Sequence, residues 1–294
     1  EAILEDSARV IETWHDPAPL SMCRVALAPC SPFSVTADQM RETAAFARSR
    51  GVRLHTHLAE TRDEDDFCIQ NVGMRPLAYM ESLGWVGEDV WFAHGIHFND
   101  AELELLAETG TGVAHCPSSN LRLGSGIARV PEMLERGVPV GLAVDGSASN
   151  DCSNLLLEIR MATLVHRIGT GVDRMPVMDA LGLATTGGAR VLGRDDIGRI
   201  APGMAADLAL FDLLDVGLAG ALHDPAAAPI LSFGTGRTSY TIVNGAVVVD
   251  QGRLVTGDLP EIIREANRIA AEMIDAASAR VGVDYRRRAC PQRR

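Results

Sequence analysis

The stretch His55-Thr56-His57-Leu58-Ala59-Glu60 places two histidines on an apolar run, with a carboxylate three residues beyond the second. On a strand, alternate residues share a face, so His55 and His57 point the same way and Glu60 falls in the turn that follows. An imidazole at such a place can ligate Zn²⁺, while a nearby carboxylate reaches a reacting group without binding the ion. The same pattern also describes a tolerated polar patch at a strand end. His94, in Phe92-Ala93-His94-Gly95, stands at the end of another apolar run, where it could ligate a metal or polarise a substrate carbonyl. Asp145 follows Gly141-Leu142-Ala143-Val144 directly, and a carboxylate there is costly to desolvate unless a cation or a histidinium compensates. A turn aspartate before Gly146 is the competing reading. His97, His115, His166 and His223 read as core histidines.

These residues need elements that bring them together. Five segments share one grammar of apolar run, polar or glycine-rich turn and helical pattern: residues 23–34, 52–61, 90–100, 112–121 and 138–149. Their continuous apolar character predicts strands buried on both faces, as in a parallel sheet. Thr36 with Gln39 forms a capping-box signature closed by Gly51, and Asn99 with Gly110 brackets a second helix. Strand-then-helix repetition fits a (β/α) barrel or a doubly wound sheet. Cys30, His57, His94, Cys116 and Asp145 each sit at the carboxyl end of a different predicted strand; a barrel gathers such ends at one mouth, and this favours the barrel. After residue 196 the pattern changes to alternating apolar residues and glycine turns, including the hairpin signal Asn244-Gly245. The predicted organisation is barrel over residues 1–196, a small β-sandwich module over 197–258, and a helix and tail over 259–294. The helix carries Ile262, Ile263, Ala266, Ile269, Ala270 and Met273 at helical spacing and is expected to pack back on the body, with the arginine-rich end a solvated tail.

Composition narrows the function. Aspartate and glutamate number 39 against 27 basic residues, a net charge of −12, and a surface of that sign repels phosphate backbones, predicting no nucleic-acid partner. Every basic residue is arginine, which removes Schiff-base, P-loop and metal-bridging carbamylated lysines. Six cysteines scattered without a C-x-x-C pair predict a reduced, cytoplasmic setting. No apolar run reaches the ~18 residues of a membrane span, predicting no membrane association. The first residue is Glu1, inside a pattern that already reads as an amphipathic helix, which predicts a fragment or a processed N-terminus.

The stretches His55–Thr61, Ala93–His97, Cys116–Gly126 and Gly141–Asp151 resemble the amidohydrolase superfamily, in its deaminase and chlorohydrolase branch. They match that family's fifth to eighth barrel strands, and Gly198–Asp212 matches its returning β-sandwich. With Leu27–Thr36, the combination most resembles the 8-oxoguanine deaminase group. The resemblance implies an α/β fold: a partial TIM-type (β/α)8 barrel, strands four to eight, plus the β-sandwich module. It implies His57 as a metal ligand, Glu60 as proton shuttle, His94 as the histidine near water and substrate, and Asp145 as ligand and base. Cys30 and Ser31 border the place where relatives contact substrate. The family's first-strand His-x-His pair supplies two more ligands, and these are expected upstream of residue 1. His55 and His57 are not that pair, because only three strand segments follow them before the β-module; His55 therefore reads as a supporting residue.

The implied reaction is hydrolytic deamination of an aminopurine, best matched by 8-oxoguanine going to urate and ammonia, with one Zn²⁺ per subunit; Fe²⁺ or another divalent ion is the alternative. A homo-oligomer is also implied. Two other readings compete: an s-triazine hydrolase, or a guanine- or adenosine-type deaminase, with the same metal kit; and, from a different class, a non-catalytic binding protein that lacks the first-strand ligands. Residues 1–294 by themselves are expected to be inactive, because a barrel without three of its strands cannot close.

Overall fold

Each of the five apolar runs ends where its turn residues begin. In the computed structural model, which describes residues 2–232 and 236–286, they form β1 (Ala26–Leu27), β2 (Arg53–Leu58), β3 (Val90–His94), β4 (Gly112–His115) and β5 (Val140–Leu142). All four pairings are parallel and the strands lie side by side in sequence order. That order decides between the two expected architectures, since a doubly wound sheet reverses its order at a switch point and a barrel does not. The array is a TIM-type barrel segment of five strands, unclosed among the described residues.

The helices preceding and following these strands are α1 (Ala2–Trp14), α2 (Ala37–Arg50), α3 (Arg62–Val72), α4 (Pro76–Ser82), α5 (Asp100–Thr109), α6 (Pro117–Leu123), α7 (Val130–Glu135) and α8 (Leu155–Val165). Their ends follow the sequence signals. Thr36 accepts from the Gln39 amide at 3.3 Å, and Gly51 closes α2 in the left-handed region with φ 65°. Asn99 and Glu102 form a complete reciprocal capping box on α5, closed by Gly110.

β5 and most of β3 and β4 are buried on both faces as expected, and β2 departs from this. Along β2, Leu54, Thr56 and Leu58 are buried while Arg53, His55 and His57 on the other face are only half-buried. The buried face meets the helices, where Met40, Leu77, Met80, Trp85, Phe92, Leu103 and Leu106 form a core of fully enclosed side chains. Each such burial stabilises by about 1.5–3 kcal/mol. The opposite face is the inward face of a barrel segment and carries the chemistry-bearing residues.

A helical stretch made of α9 (Val177–Gly182), a π-helical turn (Leu183–Gly187) and α10 (Gly188–Val191) packs across β5. The contact is backbone to backbone: a Cβ added at Gly187 would lie 2.3 Å from the Val140 carbonyl oxygen, and one at Gly141 would lie 3.0 Å from Gly188 Cα. Glycine is required there for close approach.

The chain forms two compact units, 1–207 with 212–236, and 208–211 with 237–294. Residues 212–236, expected within the β-module, therefore group with the barrel segment. The second unit holds β6 (Leu208–Leu210), β7 (Tyr240–Val243), β8 (Ala246–Asp250) and β9 (Arg253–Leu254) in one antiparallel sheet, the layer of the expected sandwich that the described residues contain. Asn244 and Gly245 both take positive φ, 45° and 83°, in the hairpin between β7 and β8. Its final helix spans Leu259–Val281, with Asp258 accepting from the Glu261 amide at its start. The tail from residue 287 lies outside the described residues. No helix is long and apolar enough to cross a membrane among the described residues.

Candidate metal centre

His57 is the last inward-facing residue of β2. Its Nδ1 lies 2.6 Å from the Cys30 carbonyl oxygen, and its amide donates to the same oxygen at 3.2 Å. A carbonyl only accepts, so Nδ1 carries the proton and Nε2 keeps a free lone pair, the tautomer a metal ligand needs.

His94 reaches the same space by a different route. In register it pairs with Leu58, whose side chain is buried on the helix side, so strict alternation would send the imidazole away from His57. Instead His94 takes φ 73°, a left-handed conformation rare for a non-glycine residue, and its ring stacks on that of His57 with centroids 5.4 Å apart. Its Nδ1 bonds Asn120 Oδ1 at 2.8 Å, and both side chains are buried. Ala59 and Asp145, after β2 and β5, are left-handed too, with φ 52° and 65°. Each such residue costs about 1–3 kcal/mol, and strain of this kind gathers where function over-determines the backbone. At the first of these corners the Ala59 carbonyl accepts from the amides of Ile96 and His97, at 2.8 and 3.0 Å.

Asp145 Oδ2 accepts from Ser119 Oγ at 2.6 Å and Ser149 Oγ at 3.0 Å. Burial pushes this carboxyl up, but the Ser119 hydroxyl, the Gly146 amide, the Ser149 hydroxyl and the adjacent His94 outweigh it and hold the group below the usual carboxylate range. One ligand atom each from His57, His94 and Asp145 lies within 4.8 Å of the others, and Glu60 Oε2 is 3.6 Å from His94 Nε2. The donor set fits a divalent ion that takes nitrogen and oxygen ligands, Zn²⁺ above all. The fit rests on the fixed tautomer of His57 and on the hydroxyl pair that orients Asp145.

The structure thus brings together four of the residues singled out in the sequence, His57, Glu60, His94 and Asp145, with His94 close enough to His57 and Asp145 to share an ion. Cys30 adjoins them through its carbonyl, with an exposed side chain. Ser31 is buried and its hydroxyl pairs with that of Ser34 at 2.7 Å. His55 stacks on Trp91 with centroids 4.9 Å apart and bonds the Trp91 carbonyl; burial holds its pKa down at about 4. Of the four histidines assigned to the core, His115 and His166 are buried against each other, His97 is half-buried, and His223 is exposed, which corrects that assignment. A separate cavity of about 290 Å³, lined by Arg24, Arg53, Trp91 and Arg194 among others, opens near the amino-terminal ends of β1 to β3, away from this cluster.

Residues that the sequence reading missed are those that hold the ligands: Ser119, Asn120 and Ser149, together with Glu158. Glu158 is buried, accepts from the Ser118 amide at 3.0 Å and the Asn150 amide group at 2.8 Å, and so ties the loop after β4 to the loop after β5. Cys116-Pro117-Ser118-Ser119-Asn120 carries the only local signal, a polar run directly after a strand.

Comparison with known proteins identifies the family. Residues 1–248 match the family model described as the amidohydrolase family. The chain is 49% identical over 274 residues to an 8-oxoguanine deaminase of Pseudomonas aeruginosa, covering 93% of this chain and 61% of that protein. It is 40% identical over 294 residues to an isoxanthopterin deaminase from an unknown prokaryotic organism, covering 93% and 60%. Among solved structures, an atrazine chlorohydrolase from Arthrobacter aurescens complexed with zinc superposes with a TM-score of 0.86 at 34% identity, covering 90% of this chain and 59% of that one. The chain spans about three fifths of the length of the relatives it matches. With a family match over most of its length and a relative 49% identical over 93% of it, the chain belongs to the amidohydrolase family.

Proposed function

We propose that the protein carrying this chain is a metal-dependent hydrolytic deaminase of an aminopurine, with 8-oxoguanine as substrate and urate and ammonia as products. The observation that carries the reading is the convergence of His57, His94 and Asp145, with the Glu60 carboxylate 3.6 Å from His94. His57 and Asp145 would hold a divalent cation, with His94 able to join them. When bound, the cation supplies Lewis acidity that makes water a competent nucleophile near neutral pH. Asp145, held ionised by its hydroxyl partners, accepts a proton from the attacking water. His94, between the two carboxylates, orients that water. Glu60 protonates the ring nitrogen beside the attacked carbon. As the C–N bond breaks, the proton taken up by Asp145 passes to the leaving amine and the adduct's hydroxyl proton returns to Glu60; water has been added, ammonia lost, and the amino-bearing carbon becomes a carbonyl.

The identity to an 8-oxoguanine deaminase supports this substrate over others. The similarity to the zinc-complexed atrazine chlorohydrolase keeps s-triazines as the second reading, on the same site. Steady-state assays of the full-length, zinc-loaded protein on 8-oxoguanine, isoxanthopterin, guanine, adenosine and hydroxyatrazine, with ammonia release as the signal, separate them. The highest kcat/KM on 8-oxoguanine is the expected result, and none on any of these compounds would favour a non-catalytic binding protein.

A further inference from the structure

We propose that Glu64 is a positioning residue for Glu60: its buried carboxylate clamps the backbone corner that presents the Glu60 side chain to the site. The inference rests on the deaminase reading for what Glu60 does and on geometry for how it is held.

Thr61-Arg62-Asp63-Glu64 has the form of a capping box, in which a threonine caps the helix and a glutamate at its third position reaches back to the threonine amide. The signature is used in that way elsewhere in the fold, where Asn99 and Glu102 exchange both bonds at the start of α5. At α3 it is not. The Thr61 side chain makes no cap bond, and Glu64 reaches further upstream, accepting from the amide of Glu60, the residue next to Ala59, at 3.0 Å. Ala59 is the left-handed residue of this corner, and no glycine relieves it, so its conformation depends on bonds of this kind. Glu64 is 2% exposed, and its second oxygen has no partner. A lone carboxylate buried at such cost, serving a corner rather than its own helix, marks the corner as the object being stabilised. The displaced box joins the first turn of α3 to the residue proposed to move the proton, and an error of about 1 Å at that position is enough to cost about a hundredfold in rate.

The test uses the full-length, zinc-loaded protein with E64A and E64Q, and E102A as the control that breaks the ordinary box. Three quantities are read: hydrogen exchange of the Glu60 amide, bound zinc, and kcat with KM on 8-oxoguanine. In E64A, this amide is expected to exchange at least tenfold faster than in E102A, with kcat down about a hundredfold, KM within threefold and zinc content unchanged. In E64Q, whose carbonyl oxygen can still accept, kcat is expected to return to within about tenfold of the parent. Unchanged exchange in E64A, a kcat loss no larger than that of E102A, or zinc lost in step with kcat would each overturn the proposal. If E64A fails to fold, E64Q with kcat down a hundredfold or more while its Glu60 amide exchanges at the parental rate overturns it as well. A parent without turnover on any aminopurine defeats the deaminase reading alone, because the exchange measurement still decides whether Glu64 holds the corner.

Discussion

Replacing Ser119 with alanine should loosen the metal site without touching a ligand. The hydroxyl donates to Asp145 Oδ2 at 2.6 Å, the shorter of two such bonds, and a hydrogen bond to a charged acceptor is worth about 1.5–3 kcal/mol. At about 1.4 kcal/mol per factor of ten, complete loss corresponds to a tenfold to hundredfold fall in affinity. Ser149 remains at 3.0 Å and also lies 2.8 Å from Ser119 Oγ. Each hydroxyl has one proton, so with Ser119 serving the carboxylate, Ser149 serves either the carboxylate or the Ser119 oxygen. In S119A it is released to the carboxylate, and the expected loss is near tenfold, the lower end. S149A should cost less than S119A, and S119A/S149A close to a hundredfold, the range expected when partners of a metal-ligating carboxylate are removed. The assay is competition for Zn²⁺ against a chelator of known affinity, at fixed pH, on the full-length protein, with thermal unfolding as the check on folding. An S119A affinity within twofold of the parent would refute the claim that this hydroxyl orients Asp145 toward an ion.

Stability should fall on the acid side. The imidazoles of His55 and His166 are held down at about 4 by burial, and His115 is driven below the ordinary range by burial beside His166. Depressed folded-state values mean that this stability is complete above about pH 6.5 and is lost as pH falls toward 4, by up to about 3 kcal/mol for a well-buried histidine such as His166. Glu64, raised to about 7 by burial, opposes the trend, since its burial costs least when it is protonated; one such group does not offset three histidines. A thermal midpoint flat from pH 6.5 to 4.5 in the metal-free protein would contradict this. Substituting alanine at Gly187 places a methyl 2.3 Å from the Val140 oxygen and should cost more than about 2 kcal/mol in denaturant unfolding, whereas alanine at Gly182, with open space around it, should cost under about 1 kcal/mol.

The strand ends, the helix caps and the hairpin were legible because each depends on a few neighbouring residues: Asn99 with Glu102, Gly51, Asn244 with Gly245. Site residues His57, Glu60, His94 and Asp145 were legible because polar groups after apolar runs stand out. What holds them was not. Ser119 and Asn120 act across 26 residues on Asp145 and His94, and Glu158 across 40 on Ser118, distances over which composition carries no signal. The left-handed backbone at Ala59, His94 and Asp145 was hidden because none of the three is glycine. The expectation that strands are buried on both faces failed at β2 because Arg53, His55 and His57 occupy the inward side, where a barrel keeps its reactive groups.

One main-chain atom has a wider reach than its size suggests. The oxygen that fixes the His57 ring belongs to the backbone of residue 30, while the thiol of that residue faces outward. Any side chain at position 30 leaves the same oxygen in place. On the proposed function, position 30 is therefore free to vary at the rim while the atom that sets the His57 ring stays where it is.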